Sequence, residues 1–143
     1  MVTDQPFSPA ALAFLDGRGA GELAEKMGIE IVALSAEHAV ATMPVDGNRQ
    51  PVGILHGGAH VVLAESLGSM AASVHAGPGR IAMGIELNAS HSRAASSGVV
   101  TGTCTAIHLG RTLTTHEIVM TDEEGRRLST VRITNILRDA RTS

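Results

Sequence analysis

The chain has 143 residues and a net charge of -3 with its seven His counted neutral, which fits a single domain large enough for its own core. Trp and Tyr are absent, only Phe7 and Phe14 are aromatic, and the Lys and Arg residues are scattered, which argues against a nucleic-acid-binding surface. Because Cys104 is the only cysteine, an internal disulfide and a cysteine-based zinc site are excluded, and its strand-like surroundings predict a buried, inert thiol.

The N-terminal part of the chain differs in character from the rest. Residues 1–10 contain two Pro and few apolar anchors, which predicts a loose arm. A helical pattern over residues 8–27 is interrupted by Gly and is expected to end at Gly28. We therefore expect one domain over residues 1–143, with an arm and short helix at 1–27 and the core at 28–138.

The same N-terminus lacks the basic region and apolar run of a secretory signal, so the predicted compartment is the cytoplasm. The one long apolar run, residues 56–76, contains a Glu, several Ser and three His. Such a run is unsuited to crossing a membrane, so no membrane association is expected.

Alternation before one helix and β-branched runs after it predict strands on both sides of that helix. Residues 29–34 and 39–45 alternate between apolar and polar side chains, and this pattern is typical of a hairpin with one wet face. The connections between the later strands are short and turn-like, so these strands are expected to pair antiparallel. The later strands are predicted at residues 80–91, 98–108, 112–121 and 126–137. The predicted fold class is α+β, a curved antiparallel sheet of five to six strands wrapped around one long central helix.

The predicted central helix, residues 56–76, carries no Pro, Lys or Arg, and its only acidic residue is Glu65. Apolar or small residues flank Glu65 on every side, and a helix that is apolar all round is expected to be buried. A lone carboxylate in such a helix is costly unless it is paired, neutralised or used. Since one face of a sheet cannot cover the whole helix, a second copy of the chain is the simplest cover for the remainder.

The stretch from Gln50 to Glu65, which includes the word LHGGA at residues 55–59, closely resembles the hotdog-fold acyl-CoA thioesterases. Further segments similar to the family lie at residues 84–98, 105–112 and 122–134, so the resemblance covers roughly residues 28–138. It is nearest to the branch with Glu in the helix, which includes dihydroxynaphthoyl-CoA, aryl carrier protein and 4-hydroxybenzoyl-CoA thioesterases. The resemblance implies the hotdog fold and hydrolysis of an aromatic or medium-chain acyl-CoA, with coenzyme A as part of the substrate and no separate cofactor.

The residues themselves suit this chemistry. The first turn of a helix has free N–H groups, and Gly57 leaves them open to a thioester oxygen that gains negative charge. Glu65 is expected to act as general base or nucleophile, although a structural role satisfied by Ser69 or a His stays open. Gln50 is a candidate second donor to the oxygen, and His56 either orients the substrate or only caps the helix. Ser69, one turn beyond Glu65, holds the water or the carboxylate, or packs the helix.

Helix geometry adds a prediction about subunits. Gly57 and Glu65 are eight residues apart, which is about 12 Å along one helix. Both cannot touch the same thioester carbon, so the Glu65 carboxylate must face the Gly57 end of another chain. This predicts a site at a dimer interface, with a dimer as the minimal unit and a homotetramer, a dimer of dimers, as the expected assembly.

The resemblance also implies positions that bind the substrate and its coenzyme A. These are Gly84, His91, Arg93, Arg111 and Thr112, of which Arg111 stands where relatives often carry a small hydroxyl residue. Arg suits phosphate recognition, although an exposed Arg that only meets solvent is the alternative. The i, i+4 pair His56 and His60 has metal-ligand spacing, but no third ligand accompanies it, so no metal is expected.

Two other functions remain open at this point. A hotdog dehydratase or hydratase would need a different acid–base pair beside the thioester. A non-catalytic acyl-CoA-binding module would have no use for an acid at position 65. The set of Gln50, His56 and Glu65 fits hydrolysis better than either alternative.

Overall fold

Two short helices, α1 (Pro9–Leu15) and α2 (Glu22–Met27), come first in the part of the chain that this computed structural model describes, residues 5–141. The side chain of Ser8 caps α1 by accepting a hydrogen bond from the N–H of Ala11 at 3.0 Å. Gly28 ends α2 in the left-handed conformation, as predicted. The predicted loose arm at residues 1–10 is only partly testable, since residues 1–4 lie outside the described part.

Six strands form one antiparallel sheet, and each begins and ends within two residues of its prediction. The sheet has the order β1-β2-β4-β5-β6-β3. The strands are β1 (Glu30–Leu34), β2 (His38–Pro44), β3 (Arg80–His91), β4 (Val99–Leu109), β5 (Leu113–Thr121) and β6 (Arg127–Asp139). The short connection before β4 suggests that β3 pairs with β4, but β3 pairs with β6 and β4 with β2. The segment between β3 and β4 therefore crosses the sheet, and neighbours in sequence are not neighbours in space here.

The central helix α3 (Gly57–Ala76) packs against the concave face of this sheet, which confirms the predicted fold class. Its close approach depends on Gly68, because a Cβ there would lie 2.5 Å from Cγ2 of Ile133 on β6. Leu63, Leu67 and Ala71 of the helix are fully buried against the sheet. Gly68 thus has a packing reason that outweighs the cost of Gly in a helix.

The opposite face of α3 is open in the single chain, as expected for a helix that one face of one sheet cannot cover completely. Glu65 is exposed, and Val61, Val62 and Ser69 are only partly buried. This face of α3 is exposed because a single sheet covers only one side of a helix. The open face is what a second copy would have to cover.

The two edges of the sheet differ. The segment at Pro6 to Ser8 lies along the outer side of β1, where the N–H of Leu34 donates to Pro6 at 2.7 Å and Leu34 accepts from Ser8 at 3.1 Å. Within residues 5–141, no segment lies along the outer side of β3. Three large apolar side chains of that edge strand, Ile81, Met83 and Ile85, have between 41% and 55% of their area exposed. One edge is therefore bonded at its last residue, Leu34, and the other is free within residues 5–141.

No helix within residues 5–141 combines the length and the apolar character needed to cross a membrane. Cys104 is buried in β4, and burial raises the pKa of its thiol to about 12. Since the thiolate is the reactive form, this confirms the predicted buried thiol.

Candidate active site

The start of α3 leaves one backbone donor unused. The Nδ1 atom of His56 accepts a hydrogen bond from the N–H of Gly58 at 2.8 Å, and the His56 carbonyl accepts from Ala59 and His60. The N–H of Gly57 has no acceptor within residues 5–141. The first turn thus offers a free N–H at the positive end of a 20-residue helix, the place predicted for a thioester oxygen.

His56 caps α3, which is one of the two roles that the sequence allows for it; the other is to orient the substrate. Because its Nδ1 accepts a hydrogen bond, the proton of the neutral ring is on Nε2. The ring is exposed and lines a depression with Asn48 and Val62, on the other side of the helix start from Gln50. Its Nε2–H is therefore available as a donor to a ligand.

Four predicted residues line one cleft of about 300 Å³ beside the helix start. They are Gln50, Gly57, His91 and Arg93, and the cleft is also lined by His60. Gln50 is held there by a tight turn in which its N–H donates to Ile54 at 2.8 Å and its carbonyl accepts from Gly53 at 2.9 Å. The left-handed φ of 84° at Gly53 makes this turn possible.

The imidazole of His91 lies directly on Gly57. A Cβ at position 57 would come within 2.9 Å of His91 Nε2, so only Gly allows this contact. The Oγ of Ser129 donates to the carbonyl of Ser90 at 3.1 Å, and its distance to His91 Nδ1 is 2.7 Å. Since the hydroxyl gives its one proton to Ser90, Nδ1 donates to Ser129 and the neutral ring presents Nε2 as an acceptor beside Gly57.

His60 was considered from the sequence only as a metal ligand, and its place in this cleft was not predicted. Its ring stacks on that of His91, with centroids 5.4 Å apart. Burial, with a smaller contribution from the nearby His91, lowers the pKa of His60 to about 4, so the ring is neutral at neutral pH. Within residues 5–141 we find no group of three or more side chains placed to hold a metal ion.

Glu65 belongs to a second group, two turns further along α3. Its Oε1 lies 3.3 Å from the position that a Cβ of Gly84 would occupy, so Gly84 makes room for the carboxylate. The hydroxyl of Ser69 donates to Oδ1 of Asn135 at 3.3 Å. The structure thus places Glu65, Ser69 and Gly84 together over Asn135 on β6, and apart from the cleft at Gly57.

Arg111 and Thr112 lie far from Arg93 in the same chain. The turn that holds them is next to the start of β3, where Arg80 Nη2 donates to the carbonyl of Arg111 at 3.0 Å. His91 and Arg93 are at the other end of β3, about 36 Å away along the strand. One chain therefore cannot bring both arginines to one nucleotide.

Sequence reasoning missed Ser129 and Asn135. Both are polar and fully buried on β6, in a row whose other members, such as Val131 and Ile133, are apolar. The signal available in the sequence was a polar residue on a strand face whose other residues are apolar. The other buried His, His116, is structural: it contacts the Ala36 carbonyl at 2.9 Å, and burial lowers its pKa.

Comparison with known proteins identifies the family of this chain. A family model described as the thioesterase superfamily matches residues 52–129. The chain is similar to the proofreading thioesterase EntH of Cronobacter turicensis, with 47% identity over 123 residues that cover 85% of this chain and 90% of that protein. It is also similar to a thioesterase from Haemophilus influenzae, whose crystal structure has a TM-score of 0.81 at 36% identity and covers 97% of this chain and 96% of that one.

A crystal structure of a mutant thioesterase from Pseudomonas aeruginosa gives a TM-score of 0.83 at 38% identity, over 90% of this chain and 94% of that chain. The identity, the coverage and the shared arrangement of one helix within a curved sheet all lead to the same assignment. The chain belongs to the thioesterase superfamily and is a hotdog-fold thioester hydrolase.

Proposed function

We propose that this chain hydrolyses an acyl-CoA thioester with an aromatic or medium-length acyl group, releasing the free acid and coenzyme A. The observation that carries the proposal is the free N–H of Gly57 at the open start of α3, beside the cleft lined by Gln50 and His91. An N–H fixed at a helix start stabilises the oxygen of a thioester as it becomes negative. The amide of Gln50 is the second donor in this proposal.

In the reaction, the water oxygen bonds to the thioester carbon and its proton passes to Glu65. The carbon–sulfur bond then breaks, the electron pair stays on sulfur, and the thiolate is protonated to give free coenzyme A. With Glu65 as nucleophile, a mixed anhydride forms first and water cleaves it in a second step. His56 Nε2–H, which is exposed at the helix start, is assigned to the leaving sulfur.

We propose a dimer in which each site is shared. Antiparallel pairing of β3 with a second β3 would use the free edge and cover Ile81, Met83 and Ile85. The same pairing brings the start of one β3, with Arg111 and Thr112, toward the end of the other, with His91 and Arg93. Arg93 of one chain and Arg111 of the other would then contact the same nucleotide. Two such dimers would form the proposed tetramer.

The acyl group meets aliphatic residues in this arrangement, since Val61 and Val62 are the apolar side chains on the open face near Glu65. Aliphatic walls select by volume more than by shape, so broad specificity is expected. The test is hydrolysis of benzoyl-, hydroxynaphthoyl-, phenylacetyl- and aliphatic CoA thioesters, with one matched carrier-protein thioester in parallel. Binding of these thioesters without release of thiol would contradict the proposal and favour a binding module.

The shared site predicts that two inactive variants complement each other. When Glu65→Gln and Gly57→Pro chains are co-expressed with different tags, each mixed dimer contains one site with both groups intact. Dimers purified on both tags are expected to recover about half of the wild-type activity, because one of two equivalent sites works. Co-expression of Glu65→Gln with itself is the control. No recovery in the mixed dimer would mean that each chain holds a complete site.

A further inference from the structure

Asn135 is a fully buried amide in a row of apolar side chains on β6, and neither the resemblance nor the predicted site includes it. Its register partners are Gly84 on β3 and Thr114 on β5. Within residues 5–141, its Nδ2 has no hydrogen-bond partner, and neither does the buried hydroxyl of Thr114. A buried polar group without a partner costs stability, so its presence here calls for a reason.

The position of Asn135 relative to Glu65 supplies that reason. Glu65 Oε1 and Asn135 Oδ1 lie 3.3 Å and 3.8 Å from the same point, the place that a Cβ of Gly84 would occupy. The amide and the carboxylate therefore converge over Gly84. Ser69 joins them, because its hydroxyl donates to Asn135 Oδ1 at 3.3 Å.

The direction of that hydrogen bond has a chemical consequence. A serine hydroxyl has one proton and two acceptor lone pairs. When the proton is given to Asn135, Ser69 can only accept from a molecule on the side of Glu65. A water between Ser69 and Glu65 would then donate one hydrogen to each, which leaves its lone pairs directed away from both, toward the open face of α3.

We propose that Asn135 is a positioning residue that fixes the Ser69 hydroxyl as an acceptor and so orients the hydrolytic water between Ser69 and Glu65. The proposal rests on the thioester hydrolysis proposed above. It applies to attack of water on the thioester carbon, the route in which Glu65 is a free carboxylate that accepts a hydrogen from the water. Asn135 itself does not touch the substrate.

The test is a double-mutant cycle between Asn135→Leu and Ser69→Ala. Leu has a shape close to that of Asn but offers no acceptor, so Asn135→Leu is expected to lower kcat about 10- to 100-fold while KM changes less than about threefold. In the Ser69→Ala background, Asn135→Leu is expected to have no further effect on kcat, because the hydroxyl it orients is gone.

The control is Thr134→Val on the outer face of the same strand, which removes a hydroxyl that donates to Glu86 and is expected to leave kcat unchanged. Equal losses from Asn135→Leu in the two Ser69 backgrounds would overturn the proposal, and so would an unchanged kcat. If Asn135→Leu does not fold, the same cycle is measured with Asn135→Ala. The wild-type chain, assayed in parallel on the thioester screen, separates the two ideas: failure to hydrolyse any thioester refutes the proposed function, whereas an active wild type with an additive cycle refutes only the role of Asn135.

Discussion

Replacing Glu65 with Ala is expected to lower kcat about 1,000-fold or more, with a modest change in KM. The carboxylate is needed only when the bond to carbon forms, so its loss removes a transition-state interaction and leaves ground-state binding in place. Steady-state hydrolysis of the best thioester from the substrate screen gives both constants. The fold should be retained, because Glu65 is exposed in the single chain and forms no ion pair within residues 5–141.

Two further variants make the result for Glu65 specific. Glu65→Gln keeps the shape of the side chain and removes its charge, and it is expected to be as inactive as Glu65→Ala. Glu117→Gln makes the same change at an exposed position on β5 and is expected to behave like the wild type. Full hydrolysis by Glu65→Ala would mean that the reaction does not use this carboxylate at all.

Gly57→Pro is expected to reduce kcat to a similar degree, because it deletes the one free N–H of the first helical turn. The helix itself accommodates Pro at this position, since the first residue of a helix needs no N–H partner. The preceding residue, His56, already has φ -64° and ψ 133°, the extended region that a following Pro requires. Circular dichroism should therefore match the wild type, and thermal unfolding should match that of Gly57→Ala, which places the same Cβ against His91, while the hydrolysis rate falls.

Gly57→Ala is the matched control, because it also adds a Cβ against His91 but keeps the N–H. The His91 ring is the movable end of a side chain and can shift, so a moderate loss is expected from Gly57→Ala. The difference in kcat between the Pro and Ala variants then measures the hydrogen bond to the thioester oxygen. Equal losses in the two variants would show that crowding of His91, and not the N–H, is what matters.

The fold could be predicted well from the sequence wherever the information is local. Alternation of apolar and polar residues located the first two strands and β-branched runs located the other four, while the absence of Pro from residues 56–76 located α3. The pairing of β3 with β6 could not be predicted, because strand order depends on contacts between residues far apart in the chain. The same limit applies to the burial of α3, since which of its faces meets the sheet is a property of the packed molecule.

The same distinction between local and long-range information applies to the residues of the candidate site. Gly57, His56 and Glu65 could be identified because they lie in one helix, where spacing alone gives distance and direction. Asn135 could not be placed under Glu65 from the sequence, because the contact requires the register of β6 against β3 and the docking of α3 on both. The stacking of His60 on His91 likewise joins the helix to the end of a strand.

The cover that Pro6 to Ser8 provide for β1 bears on how large an assembly can grow. A sheet with two bare edges can add copies indefinitely and extend into a ribbon. In this sheet Pro6 to Ser8 bond to the outer side of β1 at Leu34 and would interfere with a strand added there, whereas the outer side of β3 is free within residues 5–141, and pairing of two copies about a two-fold axis uses that free edge in both. Growth through strand pairing then stops at two chains. A change that frees the outer side of β1, such as loss of the first eight residues, would give each dimer two unpaired edge strands that could pair with further copies.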